Sequence, residues 1–432
     1  MKKIAIIGAG PKAAALCAKA DVLNQSGRQL SLRVFERNSF GSAWNGRHGY
    51  SDGLQRLCTP PERDVGFPYE RGLLNSEGVE ELFSRYSWQT FLVQQGNSSN
   101  SYRDWVDRGR KPPPHALYAA YVRWVIKKSK FPTTSGDVTG IEQGDGKWKI
   151  TYFGNTSKQM RTVGDFDGVV VTGPGNAIRG FERPDDPRIT DGVAFWRNPE
   201  HFIQQGAGSE EPIVIAGSGG TSAAIAAWIA RRNLDERPII IVGNQAALFT
   251  RTESFFENAL FSDEDAWAAL EPEDRIGVSQ RLNRGVVWAS VSELLSQARN
   301  VRFRPGRVLR AYVQAGVEDA PEELRVEVRD AKGRRSDAAS LAIDAAGFDP
   351  WWFADLLSAR LKRATESAGA KTARARRDDL LAGMNDDLSL SLGSDGFHAP
   401  MLSLAQGPGF ASLMVLGAMS ERILSSYCDP VT

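Results

Sequence analysis

The stretch Gly8-Ala9-Gly10-Pro11-Lys12-Ala13 follows an apolar run at residues 4–7 and precedes an alanine-rich segment at 13–20. It fits the pattern GxGxxG/A, in which the first glycine makes a tight turn, the second lets backbone approach a pyrophosphate, and a small third residue lets the helix pack closely. A second apolar run ends in Glu36, whose carboxylate can accept hydrogen bonds from both ribose hydroxyls. This order predicts a dinucleotide-binding βαβ unit, here an FAD site.

A second fingerprint, Gly217-Ser218-Gly219-Gly220-Thr221-Ser222, follows the apolar run Ile213–Ala216 and precedes an alanine-rich helix at 223–230. The next predicted strand, at 239–242, is followed by Gly243-Asn244 and carries no acid. A carboxylate there would repel a ribose 2′-phosphate, so its absence favours NADP over NAD. Arg231 or Arg251 is expected to supply the positive charge.

Two later segments are expected to complete the FAD half. Leu341-Ala342-Ile343-Asp344-Ala345-Ala346-Gly347 reads as a strand ending in a small-residue turn, and Gln406-Gly407-Pro408-Gly409-Phe410 precedes a predicted strand at 413–416. The backbone N–H groups of Gly407, Gly409 and Phe410 are expected to approach the flavin ring.

The predicted fold class is α/β, with two Rossmann-like dinucleotide-binding domains and a small substrate-binding region. The FAD domain is expected at residues 1–205 and 336–432. The NADPH domain is expected at 206–335, with a substrate-binding segment at about 249–297.

Composition excludes several classes of partner. Lys and Arg number 53 against 52 Asp and Glu, giving a net charge of +1, so no field would attract nucleic acid. The apolar runs are far shorter than the roughly 20 residues of a membrane span, and a cytoplasmic enzyme is expected. The sequence shows no metal-binding pattern. Whether the chain is a monomer, a dimer or a tetramer stays open.

The three cysteines form no CxxC or CxxxxC pair, which argues against a redox-active dithiol. A flavin reduced by a nicotinamide could then pass electrons to oxygen or to a carrier protein. Oxygen activation needs a closed, water-poor pocket, and the aromatic loop at 40–70, with Trp44 expected against the cofactor, offers apolar walls. An NAD(P)H:flavin oxidoreductase remains the alternative from another class.

Several further motifs carry a resemblance that runs in order from residue 3 to about 425. They are Tyr50-Ser51-Asp52-Gly53, Thr59-Pro60-Pro61-Glu62-Arg63-Asp64-Val65-Gly66-Phe67-Pro68-Tyr69, Tyr86-Ser87-Trp88-Gln89 and Phe255-Phe256-Glu257-Asn258-Ala259-Leu260-Phe261. With the first fingerprint and the segment 406–410, they resemble the flavin-dependent amino-acid N-hydroxylases of siderophore biosynthesis, most closely the mycobactin-type lysine N6-monooxygenases.

The resemblance implies FAD, NADPH and O2, with hydroxylation of the side-chain amine of L-lysine through a C4a-hydroperoxyflavin. Ornithine, arginine or a diamine are the alternative substrates, because only pocket length separates them. No catalytic side chain is implied, since the chemistry takes place on the flavin.

The resemblance also implies substrate and cofactor contacts. Asn258 and Phe261 match the family's F-x-N-x-x-F segment, which holds the amino-acid head group. The family's carboxylate-binding lysine is replaced by Gln55, and the adjacent Arg56 could pair with a carboxylate instead. Asn283, in a basic loop, corresponds to a contact near the nicotinamide.

Overall fold

The structure is a computed structural model that describes residues 1–96, 98–232, 237–251, 254–279, 281, 286–316, 322–366, 372–392 and 395–428. Strands are numbered in chain order: β1 (Lys2–Ile7), β2 (Leu30–Glu36), β3 (Thr133–Gly144), β4 (Lys147–Gly154), β5 (Met160–Phe166), β6 (Gly168–Val171), β7 (Ile189–Asp191), β8 (Ile213–Ala216), β9 (Ile239–Gly243), β10 (Phe249–Arg251), β11 (Val286–Trp288), β12 (Val301–Pro305), β13 (Arg307–Gln314), β14 (Glu323–Asp330), β15 (Gly333–Ala338), β16 (Leu341–Asp344) and β17 (Phe397–His398).

The α-helices are α1 (Pro11–Gln25), α2 (Ser76–Tyr86), α3 (Trp88–Gln94), α4 (Tyr102–Asp107), α5 (His115–Ser129), α6 (Gly192–Arg197), α7 (Pro199–Gln205), α8 (Gly220–Arg232), α9 (Phe255–Ser262), α10 (Glu264–Ala268), α11 (Pro272–Val278), α12 (Ala289–Gln297), α13 (Ala359–Thr365), α14 (Ala373–Ala382), α15 (Pro408–Ala411) and α16 (Leu416–Ser425).

The first sheet has the strand order β17-β6-β1-β2-β3-β4-β5. Strands β17, β6, β1, β2 and β3 run parallel, whereas β3, β4 and β5 form an antiparallel meander. Helix α1 lies against this sheet and packs against α5 and α16 in one hydrophobic core. The carboxyl ends of β1, β2 and β6 therefore meet at one edge, where such folds bind their ligands.

The second sheet is entirely parallel, with the order β12-β9-β8-β16-β7, and an antiparallel sheet of β13, β14 and β15 lies beside it. The two sheets confirm the predicted α/β fold. The expected boundaries at 206 and 336 place β7 and β16 with the FAD half. The hydrogen bonding instead pairs β16 with both β8 and β7 in the second sheet.

Two crossing segments join the halves. Ile178 N donates to Gly347 O at 2.9 Å, and Asp349 N donates to Asn176 O at 2.8 Å. Because these segments leave and re-enter the first half side by side, we propose that the domain boundaries lie at about 172–188 and 345–351 rather than at 206 and 336.

The predicted strand at 413–416 is absent from the first sheet. The chain instead forms the short helix α15 and a turn, and α16 begins at Leu416. The strand that closes this sheet late in the chain is β17, where Phe397 pairs with Val169.

Candidate two-nucleotide active site

A cavity of about 1400 Å³ lies between the two halves of the molecule. Both glycine fingerprints line it, from Gly8 to Lys12 on one side and from Gly217 to Thr221 on the other. The cavity therefore joins the carboxyl ends of β1 and β8, as expected for two nucleotides whose reactive ends must meet.

The first fingerprint has a geometry that only small residues allow. Gly8 has a φ of +99°, and a Cβ added there would lie 2.3 Å from Thr172 Oγ1. Gly10 precedes α1, with Pro11 at the first helical position and no side chain of the described residues capping the helix. A Cβ on Gly10 would meet no described atom within 4 Å, so the space over this helix end is open to a ligand.

Glu36 lies at the end of β2 and is nearly buried. Its Oε2 accepts a hydrogen bond from Ala9 N at 2.9 Å, and its Oε1 accepts one from Asn38 N at 2.7 Å. Each carboxylate oxygen retains further acceptor capacity, and Glu36 lines the cavity. The carboxylate is therefore held where the hydroxyls of a ribose could donate to it.

Ala13 and Lys12 are both buried. Ala13 lies within the core behind α1, in the packing role that its pattern predicts, and is not among the described residues lining the cavity. Lys12 lines the cavity, and its Nζ donates to Phe410 O at 2.5 Å and to Ser412 O at 3.0 Å. Burial lowers the pKa of Lys12 to about 7.

These residues fit FAD. The uncapped N-terminus of a 15-residue helix, the open space at Gly10 and the fixed carboxylate of Glu36 match the pyrophosphate and the ribose of an adenine dinucleotide.

The second fingerprint repeats the arrangement at β8. Gly217 has a φ of +141°, and an added Cβ would lie 2.3 Å from Ala345 O. Gly219, Gly220 and Thr221 line the cavity at the start of α8. Ser222 is fully buried and donates from Oγ to Gly219 O at 2.8 Å, so it shapes the turn from within.

Cationic side chains line the cavity on the side of the second fingerprint, namely Arg231, Arg232 and Arg307. Arg232 also pairs with Glu200 at 2.8 Å and lies over the Trp228 ring at 4.2 Å. No described acid lies at the end of β9, where Asn244 Oδ1 accepts from Ser218 Oγ at 3.2 Å. Arg307 follows β12, whose Pro305 pairs with Gly243 at the end of β9, and so lies where an extra ribose phosphate is expected, whereas Arg231 and Arg232 are at the far end of α8, roughly 16 Å along the helix from its start. The side chain of Arg251 and the whole of Asn283 lie outside the described residues.

The aromatic loop contributes one wall of the cavity. Trp44, Gln55 and Arg56 all line it, as does His115 at the start of α5. The Trp44 and His115 rings meet edge to face with their centroids 4.7 Å apart. Leu57 N donates to Pro113 O at 3.1 Å, which holds the loop against the segment before α5.

Two uncharged groups in this wall are buried and form no hydrogen bond with the described residues: Gln55 Nε2 and His115 Nδ1. Burial lowers the pKa of His115 to about 4, so its ring is neutral near pH 7. Arg56 is exposed and donates from Nη1 to Pro112 O at 2.7 Å. The two residues line the cavity with other atoms, and their unsatisfied polar atoms lie buried behind its surface.

Asn258 and Phe261 lie on α9, away from this wall, and neither is among the described residues that line the main cavity. Phe261 is instead beside Gly407 and Phe410 around a small cleft. A Cβ on Gly409 would lie 2.1 Å from Phe261 O, so α9 packs directly on the segment 407–410. The expected contacts of Asn258 and Phe261 with the substrate stay predictions. So do the contacts of the segment 407–410 with the flavin.

Sequence reasoning assigned no role in the site to several cavity residues that follow parallel strands. Thr172 directly follows β6, and its Oγ1 donates to Ile7 O at 2.8 Å. Trp352 Nε1 donates in turn to Thr172 O at 3.0 Å. The rule that ligands bind at the carboxyl ends of parallel strands could have identified Thr172. His115 begins α5 and follows no strand, so the same rule could not have identified it.

Among the residues that the structure describes, no group of three or more His, Cys, Asp or Glu side chains is placed to hold a metal ion. Among those same residues, no helix is both long and apolar enough to cross a bilayer.

The two parallel sheets, each with a glycine fingerprint facing one cavity, define a class: the flavoproteins that bind two dinucleotides. L-lysine N6-monooxygenase MbtG of Mycobacterium tuberculosis is 33% identical, over 98% of this chain and 94% of that protein. MbtG of Mycolicibacterium paratuberculosis is 32% identical over 100% of this chain and 96% of its own length. The chain therefore belongs to the L-lysine N6-monooxygenase family.

Solved structures agree with this assignment. Lysine monooxygenase NbtG from Nocardia farcinica superimposes with a TM-score of 0.79 at 30% identity, covering 98% of this chain and 100% of that one. The ornithine N-hydroxylase KtzI of Kutzneria sp. 744 shares the fold, with a TM-score of 0.71 at 16% identity and 98% of each chain covered. No protein-family model matches the chain.

Proposed function

We propose that this enzyme hydroxylates the terminal amine of L-lysine with FAD, NADPH and O2, providing an N6-hydroxylysine for a hydroxamate siderophore. The observation that carries the proposal is the single cavity onto which both glycine fingerprints open, in a chain related over nearly its whole length to lysine N6-monooxygenases. Both fingerprints line this one cavity, which supports a shared reaction space for the two nucleotides.

When bound and reduced by NADPH, FAD supplies the oxygen-activating chemistry. The chain would hold that group with the open backbone at Gly10 and with the Glu36 carboxylate, while Gly8, whose N–H donates to Phe35 O, makes the tight turn before them. Arg307, which follows β12 beside the end of β9, would hold the 2′-phosphate of NADPH, because its guanidinium favours an added dianion and the end of β9 has no repelling acid among the described residues.

The wall formed by Trp44, His115 and Gln55 would orient the amino acid and exclude water. A neutral imidazole adds no cation beside the substrate amine, which must lose its own proton before its lone pair can accept oxygen. A rotation of the Gln55 side chain would bring its amide N–H, which has no partner among the described residues, to the substrate carboxylate, with the Arg56 charge nearby.

The test is a substrate panel on the full chain loaded with FAD. NADPH oxidation, oxygen consumption and hydroxylated product are measured with L-lysine, L-ornithine, L-arginine and cadaverine. L-norleucine, which lacks the terminal amine, is the matched control. We expect product close to one per NADPH with lysine and none with norleucine.

If another amine gave faster turnover and more hydroxylated product per NADPH than lysine, that amine would replace lysine as the proposed substrate. NADPH oxidation that ignores every amine and yields only hydrogen peroxide would contradict the hydroxylase reading and favour an oxidoreductase. A Gly10→Val variant, whose side chain would project into the open space over α1, should lose FAD and all turnover.

A further inference from the structure

Helix α1 carries two buried lysines with different surroundings. Lys12 and Lys19 are each only 5% exposed. Lys19 Nζ lies 2.7 Å from Glu421 Oε2 and also donates to Gly417 O at 2.7 Å, so its charge is paired. Lys12 Nζ donates only to backbone carbonyls of the described residues, at Phe410 and Ser412. A buried ammonium with no counter-charge is costly.

The charged and titratable groups on the elements around Lys12 already have other partners. The acids accept hydrogen bonds from the backbone: Glu36 on β2 from Ala9 N and Asn38 N, and Asp64 from Trp88 N. Arg63 donates to Met414 O, and Lys19 pairs with Glu421. Arg422 on α16 pairs with Glu264 and lies over the Phe410 ring. None of them shifts the pKa of Lys12, which burial alone lowers to about 7.

Lys12 is nevertheless in the first turn of the helix whose N-terminus faces the cavity, two residues after Gly10. The pyrophosphate of FAD carries two negative charges, and in a poorly solvated site a charge of opposite sign within a turn favours the ammonium form. Bound FAD would therefore bring a counter-charge that the described residues do not provide.

We propose that Lys12 is a positioning residue that takes up a proton when FAD binds and, once charged, fastens the segment 410–412 to α1. This inference rests on the proposed binding of FAD. The step is a simple protonation, in which the neutral amine of Lys12 gains one proton from solvent and no electrons move. Ala411, Ser412 and Leu413 line the cavity, so the same lysine links cofactor occupancy to the position of the cavity wall.

The experiment measures FAD binding to the full chain after its FAD has been removed. Titration calorimetry at pH 6.0 to 8.5, in two buffers of different ionisation enthalpy, gives the protons taken up per FAD. We expect uptake near zero at pH 6 and near one proton at pH 8.5, and an FAD Kd that weakens by up to roughly tenfold per pH unit above about pH 7. Zero uptake by a chain that does bind FAD overturns the proposal.

Two variants locate the proton. Lys12→Met should bind FAD with no proton uptake and a Kd independent of pH. Lys19→Met, the matched control on the same helix, should keep the uptake of the natural chain. Uptake that survives in Lys12→Met overturns the proposal. If Lys12→Met does not fold, the two-buffer measurement on the natural chain still decides it. A chain that binds no FAD at any pH overturns both this inference and the proposed function.

Discussion

Gly8 and Thr172 approach so closely that a methyl group added to Gly8 would lie 2.3 Å from Thr172 Oγ1. Thr172 Oγ1 is fixed by its hydrogen bond to Ile7 O, so it cannot move aside without losing that bond. The end of β1 and the end of β6 are thereby held at the spacing on which the FAD site depends.

Gly8→Ala should destabilise the chain and lower its FAD content. The left-handed backbone costs about 1–2 kcal/mol for a residue with a side chain, and the clash adds to it. Thermal unfolding and flavin absorbance measure the two effects. Gly27→Ala is the control, because Gly27 also has a positive φ but its added Cβ meets nothing within 4 Å. Equal losses in the two variants would show that the Thr172 contact is unimportant.

Gln55→Ala should raise the KM for the amine roughly tenfold or less, the effect of losing one hydrogen bond, without changing the rate of flavin reduction by NADPH. The comparison variant is Arg56→Ala. If the guanidinium binds the substrate carboxylate, this variant should no longer discriminate between lysine and cadaverine, which lacks that carboxylate. Steady-state kinetics with both amines separate the two. An unchanged KM in Gln55→Ala would remove its amide from the substrate site.

Asn258→Ala tests the contact that the family resemblance implies. We expect a higher amine KM with unchanged flavin reduction. Phe255→Ala, on the same helix and 78% exposed, controls for damage to α9. Because Asn258 is not among the described residues lining the cavity, an effect on KM would mean that α9 approaches the substrate during turnover. Amine kinetics identical to those of the natural chain would exclude it from substrate binding.

Asp64 predicts a pH dependence of stability. Its carboxylate is buried and accepts from Trp88 N and Tyr69 Oη, each at 2.7 Å. Burial raises its pKa from the ordinary 3.8 to about 6. A raised pKa means that this group's contribution is fully present below about pH 4 and is lost as pH rises through about 6, on the order of 3 kcal/mol in all.

Asp64→Asn removes this titration although it also disturbs the hydrogen bonds. The natural chain should unfold at a higher urea concentration than the variant at pH 4. This difference between the two unfolding midpoints should become smaller between pH 4 and pH 7. A difference that stays constant, or grows with pH, would contradict the assignment of the raised pKa.

Local sequence patterns predicted correctly the elements whose formation depends on neighbouring residues. Both fingerprints stand at the predicted strand, turn and helix, because the glycines and the apolar runs act within a few residues. The strands that pair with β16 could not be predicted from local patterns. Its pairing with β8 spans more than a hundred residues, and its apolar composition suits either sheet.

The segment 413–416 shows a different limit. Its apolar composition is typical of a strand, yet side chains satisfy the carbonyls around it: Lys12 binds those of Phe410 and Ser412, and Arg63 binds that of Met414 at 3.3 Å. With these acceptors satisfied, the segment does not need a sheet ladder. Such long-range contacts from the side chains of Lys12 and Arg63 leave no periodic trace in the sequence.

The most direct test of the central claim follows the oxygen atom. The full chain with FAD, NADPH and L-lysine is allowed to turn over under 18O2, and the amino-acid product is analysed by mass spectrometry. The account predicts N6-hydroxylysine carrying one 18O atom. Consumption of NADPH with all of the label in hydrogen peroxide or water, and lysine unchanged, would contradict it.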